Sequence, residues 1–192
     1  YTQRPVGMEA NRPLNLCTGD LMLSDVNVAT DSPFHRLRNA LDAAGVPYGI
    51  HEHAPSVTIA DADAHLHFPV ERLLKTIAFR NKRGGWLLAG LCGYAQVDYK
   101  RLADAAGVSR TQLMQMEPHE VEAELGYIIG GVAPFGLNDA TSVYLDRGVL
   151  RFESIYCGTG RRDRTLEIAP SDLVQLSHAH VAPIARKLVC EG

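Results

Sequence analysis

The chain has 192 residues, 46% of them hydrophobic and 21% charged, which fits one ordinary domain and excludes wholesale disorder. Its 19 basic and 22 acidic residues leave a formal net charge of -3, so a general nucleic-acid coat is excluded while a local basic patch is not. No apolar run reaches bilayer length and the N-terminus lacks signal-peptide blocks, so no membrane partner is expected and the cytoplasm is the expected compartment.

Residues 1–30 mix Pro5, Pro13, Gly7 and Gly19 with scattered apolar residues and show no period. They read as an irregular N-terminal extension, with the domain itself over 31–192. Asp31-Ser32-Pro33 is a helix start, Phe34, Leu37, Leu41 and Ala44 keep helical spacing, and Gly45 is placed to stop it. Val46 to His53 alternates like a strand and ends before Pro55. Thr58 to Leu66 reads as a short helix and Val70 to Leu73 as a helical turn. Leu74 to Arg80 and Trp86 to Leu91 form a hairpin across the turn 81–85.

Asp98 to Ala106 is expected to be helical. Ser109 caps another helical segment, and Pro118 opens a third that Gly126 ends. Tyr127 to Gly136 is a shaped loop. Ser142 to Leu145, Leu150 to Phe152, Ser154 to Cys157 and Thr165 to Ile168 read as short strands, and Pro170 to Leu176 and Val181 to Leu188 as helices. Hairpins mixed with helices, without regular strand–helix alternation, predict a single α+β domain with a mixed, mostly antiparallel sheet.

Four places could carry chemistry. Lys75 is one of only four lysines, and it alone sits at the entrance of an apolar strand; Lys82, Lys100 and Lys187 have bland positions. An ammonium there either snorkels to solvent or stands in a cleft. Gly130-Gly131-Val132-Ala133-Pro134-Phe135-Gly136 is either a tight connection or a loop that turns N–H groups toward an anion or oxyanion. Gly158-Thr159-Gly160-Arg161-Arg162-Asp163-Arg164 lacks the third glycine and the helix of a dinucleotide fingerprint; it suits a phosphate or RNA backbone, or is only a charged hairpin turn.

Six of eight histidines fall in H-x-H pairs, His51/His53, His65/His67 and His178/His180, but no H-E-x-x-H motif accompanies them, so no metal is assigned. The four cysteines (Cys17, Cys92, Cys157, Cys190) form no C-x-x-C pair, and Cys157 reads as buried rather than nucleophilic. No G-x-S-x-G elbow exists.

In order and spacing, these segments resemble the YbaK/EbsC family, free-standing domains similar to the editing insertion of bacterial prolyl-tRNA synthetase. The matching stretches are Leu73-Leu74-Lys75-Thr76-Ile77-Ala78-Phe79, Asp98-Tyr99-Lys100-Arg101-Leu102-Ala103, and Gly126-Tyr127 running into Gly130–Gly136. Ile155-Tyr156, Gly158-Thr159-Gly160-Arg161-Arg162 and Thr165-Leu166-Glu167-Ile168-Ala169-Pro170 with Asp172-Leu173 complete them, over residues 34–188. Two places depart from the family pattern: Ala133 replaces the usual serine before the loop proline, and the surroundings of His51 differ.

The resemblance implies a barrel-like sheet core with surrounding helices. It also implies a trans-editing aminoacyl-tRNA deacylase that hydrolyses the ester of a mischarged tRNA, with no cofactor. Lys75 and Gly131 would be catalytic. His51, Gly130, Val132, Ala133, Pro134, Phe135, Gly136, Gly158, Gly160, Arg161 and Thr165 would bind substrate, with Arg162 helping to anchor the acceptor end. The implied partners are a tRNA acceptor end, carrying cysteine or alanine before serine or threonine, and prolyl-tRNA synthetase. The alternatives are a non-catalytic aminoacyl-tRNA or nucleotide-binding module of the same fold and a histidine-rich metal-binding protein.

Overall fold

A capped helix opens the structure, a computed structural model that describes residues 32–58, 60, 68–135 and 140–186. Helix α1 (Pro33–Ala44) begins where Ser32 accepts the His35 N–H at 3.3 Å and ends at Gly45, whose φ of 63° is left-handed. Its buried stripe is Phe34, Leu37 and Leu41. Strand β1 (Tyr48–Glu52) follows. The helix expected over Thr58 to Leu66 lies outside the described residues, apart from positions 58 and 60, as do residues 1–30.

Strands β2 (Leu73–Asn81) and β3 (Trp86–Cys92) form the expected hairpin, from Leu74 opposite Cys92 to Arg80 opposite Trp86. Helix α2 (Tyr99–Ala105) is capped by the Asp98 carboxylate, which accepts the Lys100 and Arg101 N–H groups. Ser109 caps a 3-10 turn at Arg110–Gln112. Next come β4 (Leu113–Gln115), α3 (Pro118–Glu120) and a π-helical turn (Val121–Leu125) that Gly126 closes at φ 70°. The described residues finish with β5 (Thr141–Asp146), β6 (Ile155–Gly158), β7 (Arg164–Ile168), α4 (Pro170–Ser177) and β8 (His180–Ala182).

Two expected elements differ. Leu150 to Phe152 is not a strand: Arg147–Arg151 forms a 3-10 turn, fixed where the Asp146 carboxylate accepts the Gly148 N–H at 2.8 Å. The start of the expected helix over Val181 to Leu188 is strand β8, parallel to β5. Pro183 explains this, because a proline pushes the residue before it into the extended region. Positions 187 and 188 lie outside the described residues.

The sheet runs β1-β7-β6-β2-β3-β5-β8, with β4 also on β2. The ladders β1–β7, β7–β6, β2–β3 and β2–β4 are antiparallel; β6–β2, β3–β5 and β5–β8 are parallel. The sheet is mixed, as expected. Both faces of β3 are covered. Leu87, Ala89 and Leu91 pack with Phe79 and Leu102, while Leu88 packs with Leu37, Leu41, Tyr127 and Leu173.

One edge of β2 is shared. Its start (Leu73, Leu74) pairs with β6 and its end (Phe79–Asn81) with β4. Between them lies a fault in the sheet. The Ala78 carbonyl accepts the Met116 N–H there, whereas Leu73 and Asn81 direct backbone bonds to the β3 side, at Gly93 and Gly85. Backbone polar groups alternate sides along a strand, so the N–H and C=O of Thr76 face the fault.

Candidate active site

A cavity of about 280 Å³ opens at this fault. Leu74, Lys75 and Thr76 of β2 form one wall, with Cys157 and Gly158 of β6 and Arg164 and Thr165 of β7 beside them. His53, Ser56 and Val57, just past β1, close a second side. Ile129, Gly130 and Val132 of the shaped loop close a third, and Arg161 and Arg162 stand at the turn between β6 and β7. Backbone bonds hold these walls together: His53 N–H donates to the Asp163 carbonyl and Ser56 N–H to that of Arg162, each at 3.0 Å.

Among the described residues the Lys75 ammonium has no carboxylate within ion-pair distance, and burial pushes its pKa below the ordinary lysine value. The arginines are answered. Arg161 binds Asp163 through two contacts of 2.8 Å, Arg164 reaches Glu52 at 2.9 Å, and Arg162 lies 3.7 Å from Glu122. The Arg161 guanidinium holds the Asp163 carboxyl down to about 2. Arg162 also donates through Nε to the Ile129 carbonyl at 2.8 Å, and Glu122 accepts the Ile129 N–H at 3.5 Å. The residue before Gly130 is thus gripped on both of its backbone polar groups.

Gly130 has a φ of 90°, and a Cβ there would stand 2.7 Å from Val57 Cα. Gly131 is not left-handed; it is needed because a Cβ would meet the Arg161 backbone at 2.7 Å. Its N–H, one of those the loop was expected to offer, is engaged by the Ile128 carbonyl at 2.9 Å. The N–H groups of Gly130 and Val132 have no acceptor among the described residues. Gly158 lies so close to the loop that a Cβ would meet the Val132 carbonyl oxygen at 2.6 Å.

Other expected site residues lie elsewhere. Ala133, Pro134 and Phe135 are buried and do not line the cavity; Ala133 and Phe135 belong to the core beneath it. Gly136 lies outside the described residues. Gly160, at φ 89°, seats against Pro33 at the start of α1. His51 also stands off the cavity: its Nε2 meets Glu167 Oε2 at 2.8 Å, and its ring lies edge-on to Phe68 and Tyr156.

His53, which the sequence marks only as half of an H-x-H pair, does line the cavity. Its Nδ1 donates to the Ala54 carbonyl at 2.7 Å, and its Nε2 lies 2.8 Å from Thr165 Oγ1. The strand expected over Val46 to His53 already put His51 and His53 on one face, so only the turn after Glu52 separates them. Thr76, which is not among the expected site residues, lines the cavity too, and its Oγ1 is buried without a partner among the described residues. Burial pushes the Cys157 thiol far above its ordinary value, which removes it as a thiolate nucleophile. His178 ends α4 in a left-handed conformation and His180 stacks on Tyr144, so this pair does not converge. Positions 65 and 67 lie outside the described residues.

Comparison with known proteins agrees with this architecture. The family model for the aminoacyl-tRNA editing domain matches residues 53–176. The uncharacterized protein YwhH of Bacillus subtilis (strain 168) is 31% identical over 126 residues, 66% of this chain and 78% of that protein. A protein of Enterococcus faecalis, provisionally named Cys-tRNA(Pro)/Cys-tRNA(Cys) deacylase EbsC, is 28% identical over 145 residues, 74% of this chain and 87% of that protein. Among solved structures, a hypothetical protein designated APE2540 superposes with a TM-score of 0.72 at 26% identity, covering 79% of this chain and 99% of its own. A protein provisionally described as a trans-editing enzyme for prolyl tRNA synthetase gives 0.69 at 26%, covering 81% and 98%. The matched span includes every wall of the cavity, and the chain belongs to the aminoacyl-tRNA editing domain family, of YbaK/EbsC type.

Proposed function

We propose that the chain is a trans-editing aminoacyl-tRNA deacylase, hydrolysing the ester between a wrongly attached amino acid and the 3′ end of a tRNA. The observation that carries this reading is Lys75, a half-buried ammonium without a carboxylate among the described residues, in a cavity walled by the Gly130–Val132 loop. An ester at the end of an RNA needs a cation for its ribose and terminal phosphate, and N–H donors for the oxyanion formed when water attacks the carbonyl. Lys75 supplies the first. Gly130 and Val132 of the loop supply the second.

Small size favours a small aminoacyl group. A cavity of about 280 Å³ lies below the common range for drug-sized ligands. Its apolar lining of Val57, Leu74, Ile129 and Val132 suits a short uncharged side chain. Cysteine is the first choice and alanine the second, with serine and threonine behind them. The EbsC name supports cysteine, and prolyl-tRNA synthetase is the proposed functional partner. A missing methylene changes binding by only about 1–3 kcal/mol, so discrimination among small residues is expected to be loose.

The test is a hydrolysis panel of Cys-, Ala-, Ser- and Thr-charged tRNA against correctly charged Pro-tRNA. Cleavage of the small-residue esters with Pro-tRNA spared supports the reading. Cleavage of Pro-tRNA, or of none of them, overturns it.

A further inference from the structure

We infer that His53 and Thr165 form a proton-accepting pair for the attacking water, an inference that rests on the deacylase reading above. The geometry is that of a base held by an orienting group and bonded to a hydroxyl. A carbonyl oxygen can only accept, so the 2.7 Å contact with Ala54 places a hydrogen on His53 Nδ1. In the neutral ring Nε2 is then bare, and the Thr165 hydroxyl donates to it across 2.8 Å. With its own hydrogen turned to His53, Thr165 Oγ1 keeps lone pairs for another donor. Both residues line the cavity that holds Lys75, Gly130 and Val132. This is the layout of an activated hydroxyl and its base, with a backbone carbonyl fixing the tautomer.

The proton balance closes without a metal or a protein-bound acyl group. A water donating to Thr165 Oγ1 passes its proton there as its oxygen bonds to the ester carbon, while the threonine hydrogen moves to His53 Nε2. The carbonyl electrons collect on the oxygen facing the Gly130 and Val132 N–H groups. On collapse the ester C–O bond breaks, and the departing ribose oxygen takes the proton back from the imidazolium through the same hydroxyl. The free amino acid and the tRNA leave, and His53 is neutral again.

A structural role would be a staple that ties the end of β1 to β7. Four variants separate the two roles, assayed for single-turnover hydrolysis of the ester that wild type cleaves best. Thr165→Val keeps the shape and loses the relay, and a rate loss of about 10²-fold or more is expected, with Thr165→Ser recovering most of it. His53→Gln can still accept the threonine hydrogen but cannot carry it away, so it is expected to be as slow as Thr165→Val at an unchanged melting temperature. Added imidazole should accelerate His53→Ala and leave wild type unmoved. Near-wild-type rates for His53→Gln, or no response of His53→Ala to imidazole, overturn the relay while leaving the deacylase reading standing. A wild type that cleaves no aminoacyl ester removes both.

Discussion

Lys75 is half-buried, whereas Lys82 and Lys100 are exposed. The sequence set it apart, because an ammonium between Leu74 and Thr76-Ile77 has no local carboxylate. It did not show whether the side chain turns outward, since that depends on β6 and the 129–132 loop arriving from far along the chain. Lys75→Ala is expected to reduce ester hydrolysis to background with the melting temperature held. Lys75→Arg should also be slow, because a planar fork does not replace a compact ammonium. Ester-cleavage rates beside thermal denaturation curves check both, and near-wild-type turnover in the alanine variant would refute the role. Asp163 offers a second test at this scale. Its folded carboxyl is depressed to about 2 chiefly by the bond to Arg161, so the pair's contribution is present above the ordinary carboxylate range and is lost as pH falls through about 2. Arg161→Ala should return the Asp163 midpoint toward 3.8, read by carboxyl NMR titration. No movement would mean that the depression has another source.

Among the elements, those closed by their own residues were legible: α1 between Ser32 and Gly45, the β2–β3 hairpin, α2 behind Asp98, and the Pro118-to-Gly126 segment. Those that depend on a distant neighbour were not. Strand β4 is three residues long and exists because β2 offers it an edge. Strand β8 exists because β5 does, although Pro183 carried a usable local signal. In the shaped loop the glycine count was readable but the assignment was not. Gly130 carries the left-handed turn, whereas Gly131 and Gly158 are bare because two stretches of backbone touch. Gly131→Ala should therefore destabilise by roughly 1–3 kcal/mol through overpacking against Arg161, measurable by denaturant unfolding. A neutral outcome would show that the loop can shift away from the 158–164 turn.

On the scale of the whole molecule, the cavity arises from sheet order. β2 serves three neighbours, and the stretch between β6 and β4 has a strand on one side only. Strand order is invisible in a list of elements, which is why Lys75 and the loop were legible as candidates while the place where they meet was not. The same fault makes the empty protein a thermodynamic sensor of its own occupancy. Thr76 turns its peptide N–H and C=O toward the fault, and its hydroxyl is buried without a partner among the described residues. An unanswered buried polar group costs about 1–3 kcal/mol, so a ligand that answers it binds more tightly and stabilises the fold more at a given concentration. Thr76→Val should consequently melt higher than wild type when empty. It should also gain less than wild type from a non-hydrolysable 3′-amide analogue of aminoacyl-adenosine, as read by thermal shift. Equal gains in the two proteins would place the hydroxyl outside the ligand's reach.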